Sequence, residues 1–355
     1  MARVFIFKPD GIGDFVLATG AIHALAREFG EENLILCVKS LLVPLARMQF
    51  PRATVVDLPV AAERRVVNLF VRNFAACLPL WWRVRTTPVE VAVCLRSMRN
   101  YLETFLFFSA RSPRHVACEN ILLRGQRKVR MMVETAVNRI LRPELEPYPP
   151  TADGAPMEIE ANRRVVARVI QRPITIPEVL PVLSAPPSRS GSYWICAPIT
   201  NLASKLYPAA KWAELFRLLH PETVGKTILL TGSKDQRPAL EELCALLREA
   251  GCLGAEVFFP EDLTDYVNLI AGAEIMMTVD TAAAHFATAL DRPTLVLFSG
   301  LHQGMFGPWQ RSSRQAWLQP EFAPGAKRKK WHAGIAPEQA AVAVRDVLRL
   351  EPPEA

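Results

Sequence analysis

The sequence predicts an α/β protein built from two Rossmann-like, doubly wound domains that face a central cleft. Three observations carry this. Short apolar runs alternate with amphipathic helical patterns through both halves, as parallel strands covered by helices on both faces require. The chain has 355 residues, which suits two domains at roughly 100–200 residues each. Ten prolines fall between Pro143 and Pro187, marking a proline-rich stretch between the halves.

In the first half, strands are expected at 3–7 (RVFIF), 33–38 (NLILCV), 53–58 (ATVVDL), 89–95 (VEVAVCL) and 114–118 (RHVAC). Each is short, apolar and rich in β-branched or aromatic residues. Between them, apolar residues recur at helical spacing over 15–29, 40–49, 61–85, 99–110 and 128–141. The proline-rich stretch is broken by one helical pattern at 158–171. The second half repeats the alternation. Strands are expected at 192–197, 226–231, 255–259, 274–279 and 293–298, with helices at 208–219, 236–250, 263–272, 281–290 and 336–350. The expected organisation is a first domain over 1–155, a linker over 156–190, a second domain over 191–335, and a C-terminal helix and tail over 336–355.

Composition narrows the class. Half the residues are hydrophobic and 22% are charged, which suits packed cores and not a disordered chain. The N-terminus lacks an apolar signal region, and no window of 18 unbroken apolar residues exists, so no spanning helix is expected. The seven cysteines form no C-x-x-C pair and lie mostly in apolar runs. They read as reduced core residues of a cytoplasmic protein, not as disulfides or zinc ligands. The net charge of +7 is uneven: residues 1–150 hold 21 Lys/Arg against 13 Asp/Glu, and the remainder hold 21 against 22. The first half should draw an anionic partner. Nucleic acid is not expected, because the basic residues are not striped and no nucleic-acid motif appears.

Ligands of doubly wound sheets bind outside the C-terminal ends of strands, so the informative segments are loops after strands. Gly11-Ile12-Gly13-Asp14 follows the first strand. It lacks the third glycine of a dinucleotide fingerprint and the Lys-Ser/Thr of a P-loop. Asp14 has two readings: an N-cap for a helix starting at Phe15, or a general base, with Gly11 and Gly13 letting a substrate approach the backbone. Asp280-Thr281-Ala282-Ala283-Ala284-His285 follows the strand at 274–279. Asp280 could cap the helix; small residues would leave its N-terminus open to an anion such as a diphosphate, with His285 adding a donor. An alanine-rich helix with an incidental histidine is the other reading. Thr200, Asn201, Ser204 and Lys205 cluster in the loop before Pro208, where Lys205 could hold a leaving phosphate or be simply solvated. In Gly232-Ser233-Lys234-Asp235-Gln236, Gly232 permits close approach and Asp235 could bind ribose; a helix cap is the competing reading.

In order and spacing these motifs resemble the heptosyltransferase family (glycosyltransferase family 9). The resemblance is strongest at GIGDFVLATGAIHALAREF, at the Thr200–Pro208 loop with KWAELFRLL, and at AGAEIMMTVDTAAAHFATALDRPTLVLF. In the last segment Asp280, Thr281, His285, Arg292 and Pro293 match, while Ala282 stands where the family usually has glycine. The resemblance implies the GT-B fold and an inverting, metal-independent transfer, without a cofactor, of heptose from ADP-heptose to a lipopolysaccharide core. It implies that Asp14 is the catalytic base. Thr200 and Lys205 would meet the diphosphate, Thr281, Ala282 and His285 would hold it, and Asp280 would contact the sugar. The basic first half suits an anionic glycolipid acceptor, with Arg64, Arg65, Arg96 and Arg99 among the candidate contacts. A different sugar-nucleotide donor or surface-glycan acceptor is the alternative within the same fold. The stretch 66–85, apolar with Trp81, Trp82, Arg83 and Arg85 at one end, reads either as an interfacial helix on the cytoplasmic face of the inner membrane or as a core helix interrupted by Pro79.

Overall fold

A computed structural model describes residues 3–59, 66–120, 139–140, 142–149, 155–189, 192–321 and 328–349; of residues 66–74, 101 and 328–330 it describes the backbone only. The chain forms two compact units, Met1–Pro181 and Val182–Ala355.

The first unit holds six parallel strands: β1 (Val4–Phe7), β2 (Leu34–Lys39), β3 (Thr54–Leu58), β4 (Val91–Cys94), β5 (Arg114–Cys118) and β6 (Glu144–Glu146), in the order β3-β2-β1-β4-β5-β6. Every residue of β1 is buried, because a central parallel strand is covered on both faces and so reads as an unbroken apolar run. Its helices are α1 (Ile12–Phe29), α2 (Val43–Gln49), α3 (Val66–Thr86), α4 (Tyr101–Phe108), α5 (Met157–Ile170) and α6 (Ile176–Val179). The helix expected at 128–141 falls almost wholly outside the described residues.

The second unit repeats the topology. Strands β7 (Tyr193–Ala197), β8 (Thr227–Thr231), β9 (Ala255–Phe258), β10 (Ile275–Val279), β11 (Thr294–Leu297) and β12 (Gln315–Leu318) lie in the order β12-β11-β10-β7-β8-β9, all parallel. Helices α7 (Ala209–Leu218), α8 (His220–Thr223), α9 (Arg237–Glu249), α10 (Leu263–Gly272), α11 (Ala282–Ala289) and α12 (Pro337–Arg349) accompany them. All seven cysteines are buried and free.

Two features depart from the sequence reading. The edge strands β6 and β12 were not expected; at three and four residues, with mixed polarity, they are held by a neighbour's ladder and not by a pattern of their own. The expected linker also dissolves. Residues 156–181 belong to the first unit, where Ile159, Val165, Val166 and Val169 of α5 are buried. Helix α1 touches the following segment so closely that a Cβ on Gly20 would stand 2.1 Å from the Leu180 carbonyl oxygen. The prolines therefore border packed helices instead of a free hinge. Helix α12 likewise packs into the second unit, with Ala340, Ala341, Val344 and Val347 in its core.

The strand orders locate two candidate ligand sites. In each sheet the chain winds outward one way through three strands, then returns to the first and winds the other way. The reversal falls between β1 and β4 in one unit and between β7 and β10 in the other. Such a switch point splays the two following loops apart and opens a crevice at the strand ends.

Candidate functional sites at the two switch points

In the first unit the loops after β1 and β4 are joined by buried charge. Lys8 is 0% exposed. Its Nζ donates to the Leu95 carbonyl at 2.5 Å and pairs with Asp10 Oδ2 at 2.8 Å and Glu158 Oε1 at 3.3 Å. The second Glu158 oxygen accepts from Ser97 Oγ at 2.9 Å. Arg96 pairs with Asp10 and, through Nε at 2.8 Å, with Glu103. Glu103 also closes a capping box with Asn100 at the start of α4.

Asp14 stands beside this network but not where a cap would put it. Helix α1 begins at Ile12 with Gly11 as its N-cap, so Asp14 occupies the third helical position. The N-cap expected at Asp14 is thus corrected: the glycine turn is already helical from Ile12. At that position the carboxylate faces back over the turn, where it accepts the Gly11 backbone N–H and meets the positive end of the helix dipole. A Cβ on Gly11 would sit 3.2 Å from Asp14 Oδ2, so the glycine keeps that oxygen uncrowded. Burial holds the Asp14 carboxyl above the usual aspartate value; Lys8 opposes the shift, Glu158 adds to it, and the Gly11 N–H and Lys39 oppose it.

In the second unit the loops after β7 and β10 meet in the same way. Lys205 and Asp280 are both buried and pair at 2.7 Å. Helix α11 starts at Ala282 with Thr281 as N-cap. Asp280 lies one residue before the cap, which corrects its expected capping role: its carboxylate turns to Lys205. Thr281 caps with no side-chain bond; its hydroxyl meets Thr278 Oγ1 at 3.2 Å instead. The first N–H groups of α11 therefore have no side-chain acceptor on this cap, the condition that suits an anion.

His285 is buried beside Trp309, whose Nε1–H donates to His285 Nδ1 at 3.0 Å with the rings near-parallel. An accepting Nδ1 leaves the proton of a neutral imidazole on Nε2. Burial lowers the His285 pKa to about 4; Asp280 opposes the shift and Lys205 adds to it. The imidazole is thus a neutral donor through Nε2 at physiological pH. A histidine depressed in the fold contributes stability above its unfolded pKa of about 6.5, and that contribution is lost as pH falls through the folded value. Urea unfolding at pH 7 and pH 4.5 should therefore show an acid loss of stability that His285→Gln reduces; an identical loss in the variant would remove His285 as its source.

Of the remaining expected residues, Thr200 is half-buried and its Oγ1 accepts from the Leu202 N–H at 3.4 Å. Gly232 precedes a capping box formed by Ser233 and Gln236, so the cap reading of that loop holds. Asp235 is exposed in its single turn. Gln236 Nε2 reaches Asn201 Oδ1 at 3.1 Å and ties this loop to that of Thr200. In the first unit Gly11 is exposed and Gly13 half-buried. Arg64 and Arg65 lie outside the described residues. Arg99 is corrected as an acceptor contact: it is 1% exposed and its Nη1 donates to the Arg96 and Cys118 carbonyls, each at 2.9 Å. A guanidinium withdrawn from water must find such acceptors; here they brace the loop after β4. Arg96 is likewise held by two carboxylates.

Sequence reasoning missed Lys8, Asp10, Glu158, His302 and Trp309. His302, in the loop after β11, is partly buried; burial, first, and then Lys205 depress its pKa, while Asp280 opposes them. Lys8 carried a signal, a lysine directly after a central apolar strand; Trp309 carried none.

Residues 183–334 match the family model Glycosyltransferase family 9 (heptosyltransferase). Lipopolysaccharide heptosyltransferase 1 of Escherichia coli (strain K12) is 29% identical over 126 residues, 36% of this chain and 38% of that protein. The protein of the same name from Pseudomonas aeruginosa (strain PAO1) is 34% identical over 113 residues, 32% of this chain and 30% of that protein. The matches thus span well under half of these curated relatives. Among solved structures, E. coli heptosyltransferase WaaC with ADP has a TM-score of 0.71 at 17% identity, over 97% of this chain and 99% of that one. E. coli ADP-heptose lps heptosyltransferase II has a TM-score of 0.71 at 16% identity, over 98% of each chain. The fold is therefore that of the GT-B heptosyltransferase structures over essentially the whole chain. Residues 183–334 are thus similar to glycosyltransferase family 9.

Proposed function

We propose that the protein is an inverting glycosyltransferase that moves heptose from ADP-heptose to a lipopolysaccharide core acceptor. The observation that carries this reading is the buried Lys205–Asp280 pair beside the N-terminus of α11, whose Thr281 cap makes no side-chain bond to it, at the switch point of the unit that matches family 9. WaaC has been solved with ADP and with ADP-2-deoxy-2-fluoro heptose, which supports a sugar nucleotide of that kind here.

The chemistry follows from the residues. Asp14 takes the proton of the acceptor hydroxyl as its oxygen forms a bond to the anomeric carbon. The bond from that carbon to the diphosphate breaks on the opposite face, and its electron pair leaves with ADP. The charge on the leaving diphosphate is met by the N–H groups of α11, the Nε2–H of His285 and the Lys205 ammonium. Thr281, Ala282 and Thr200 border the diphosphate, and Asp280 reaches the sugar. No metal or organic cofactor is needed. Ala282, whose methyl narrows the room beside the phosphates, favours one other reading: the same transfer with a different nucleotide-diphosphate sugar. A thermal-shift panel tests both. ADP-heptose should give the largest stabilisation; a larger shift from another sugar nucleotide selects the second reading, and stabilisation by none contradicts both.

The acceptor would be an anionic glycolipid, met at the cytoplasmic face of the inner membrane. Helix α3 supports this, because one of its faces is packed and another is open. Cys77, Leu80 and Val84 are buried, whereas Leu78 is 43% and Trp82 64% exposed, next to the exposed Arg83 and Arg85. Aromatic and basic side chains together suit the headgroup region of anionic lipid. No helix among the described residues is long and apolar enough to cross a membrane. The triple variant Trp82→Ser/Arg83→Gln/Arg85→Gln should lose most co-sedimentation with phosphatidylglycerol vesicles. Unchanged binding would remove α3 as the contact.

A further inference from the structure

We infer that Lys8 and Glu158 form a buried charge pair that sets how strongly Asp14 draws a proton. The inference rests on the reading of Asp14 as the base. A lysine with no exposed surface is rare, because its ammonium must be fully compensated. Here the carbonyl of Leu95 and the carboxylates of Asp10 and Glu158 do so. Packing alone does not call for this charge, since a methionine has the length and flexibility to fill the same space. The position also matters. Lys8 directly follows β1, in the segment that leads to Asp14, and Glu158 comes from α5 to hold both Lys8 and Ser97, so the pair joins the two switch-point loops.

The charged and titratable groups that act on or beside Asp14 come from every neighbouring element. They are Lys8 after β1, Glu158 on α5 and Lys39 at the end of β2. Tyr148, shortly after β6, is kept neutral chiefly by burial, and Asp10 is held by Lys8 and Arg96. Lys8 favours ionised Asp14 and Glu158 opposes it. A base kept ionised by one neighbour and kept basic by another has its working range set by their balance.

The test is a carbon-13 carboxyl titration of Asp14 in the full-length protein, assigned with Asp14→Asn, alongside the pH profile of kcat/KM. Glu158→Gln keeps the shape of the side chain and should move the Asp14 midpoint down by about half a pH unit, roughly a threefold change in ionised fraction on the acid limb. Lys8→Met should move it up by a similar amount. The double variant, which leaves no unpaired charge on Lys8 or Glu158, should fall between them and serves if Lys8→Met alone does not fold. In each case the acid limb of kcat/KM should follow the midpoint. Midpoints unchanged to within about a tenth of a unit in folded Glu158→Gln and double variants would overturn the inference. Midpoints that move while the acid limb stays fixed would support the pair's action on Asp14 and overturn Asp14 as the base.

Discussion

Asp14→Asn is expected to abolish sugar transfer and at the same time to make the protein more resistant to heat. The two effects share one cause. Removing a general base lowers turnover by about 10²–10⁴-fold, so kcat should fall to near background while donor binding survives. The stability effect follows from the raised Asp14 pKa, whose largest cause is burial. A carboxyl whose folded pKa lies above its unfolded value contributes stability below the unfolded value, and loses it as pH rises through the folded value. At neutral pH the ionised carboxylate therefore weighs against the fold. Asparagine keeps the shape without the charge, so Tm should rise at pH 7.5. The gain should vanish by about pH 3, where aspartate is protonated in both states. Such opposition of activity and stability is common where a charge is held in an unfavourable place for chemistry. Wild-type turnover in the variant would refute the base assignment, and a lower Tm at neutral pH would refute the electrostatic account.

The second large effect concerns Lys205. Its partner Asp280 lies 2.7 Å away with both side chains nearly out of water. Lys205→Met should destabilise the second unit by about 3–5 kcal/mol, because it strands a buried carboxylate. Lys205→Met/Asp280→Asn should recover much of that loss, since removing both charges of a buried pair is often nearly neutral. ADP affinity should not recover with it. Calorimetric titration on the double variant thus separates a structural pair from a ligand site. Affinity restored to wild type would mean that Lys205 serves only the fold, with the α11 terminus carrying the phosphates alone.

The pairing of Lys205 with Asp280 also marks the limit of what the sequence made legible. Alternation of apolar runs sufficed for the two sheets, because parallel strands and amphipathic helices differ in period. Asp14, Lys205, Asp280 and His285 stand out as candidates because each follows a strand near a helix start, where ligand chemistry concentrates. Their partners were not. Lys205 and Asp280 are 75 residues apart, and Lys8 and Glu158 are 150 apart; no local period reports such contacts. Lys8 directly follows an apolar strand, which signals its place but not its partners. Glu158 lies in a stretch whose prolines suggested a linker, although its helix packs into the first unit. The start of α1 lies three residues before the expected one and that of α11 one residue after it, and these small shifts are chemically consequential. They made Asp14 and Asp280 look like caps, whereas glycine and threonine cap those helices and both carboxylates are left to other partners.

The most direct test of the central claim is proton NMR of the anomeric region during transfer from ADP-heptose to a heptose-deficient lipopolysaccharide core. ADP-heptose should be consumed in step with acceptor glycosylation, and the new linkage should have the anomeric configuration opposite to the donor's. Retention of configuration, or consumption of a different sugar nucleotide while ADP-heptose stays intact, would contradict it.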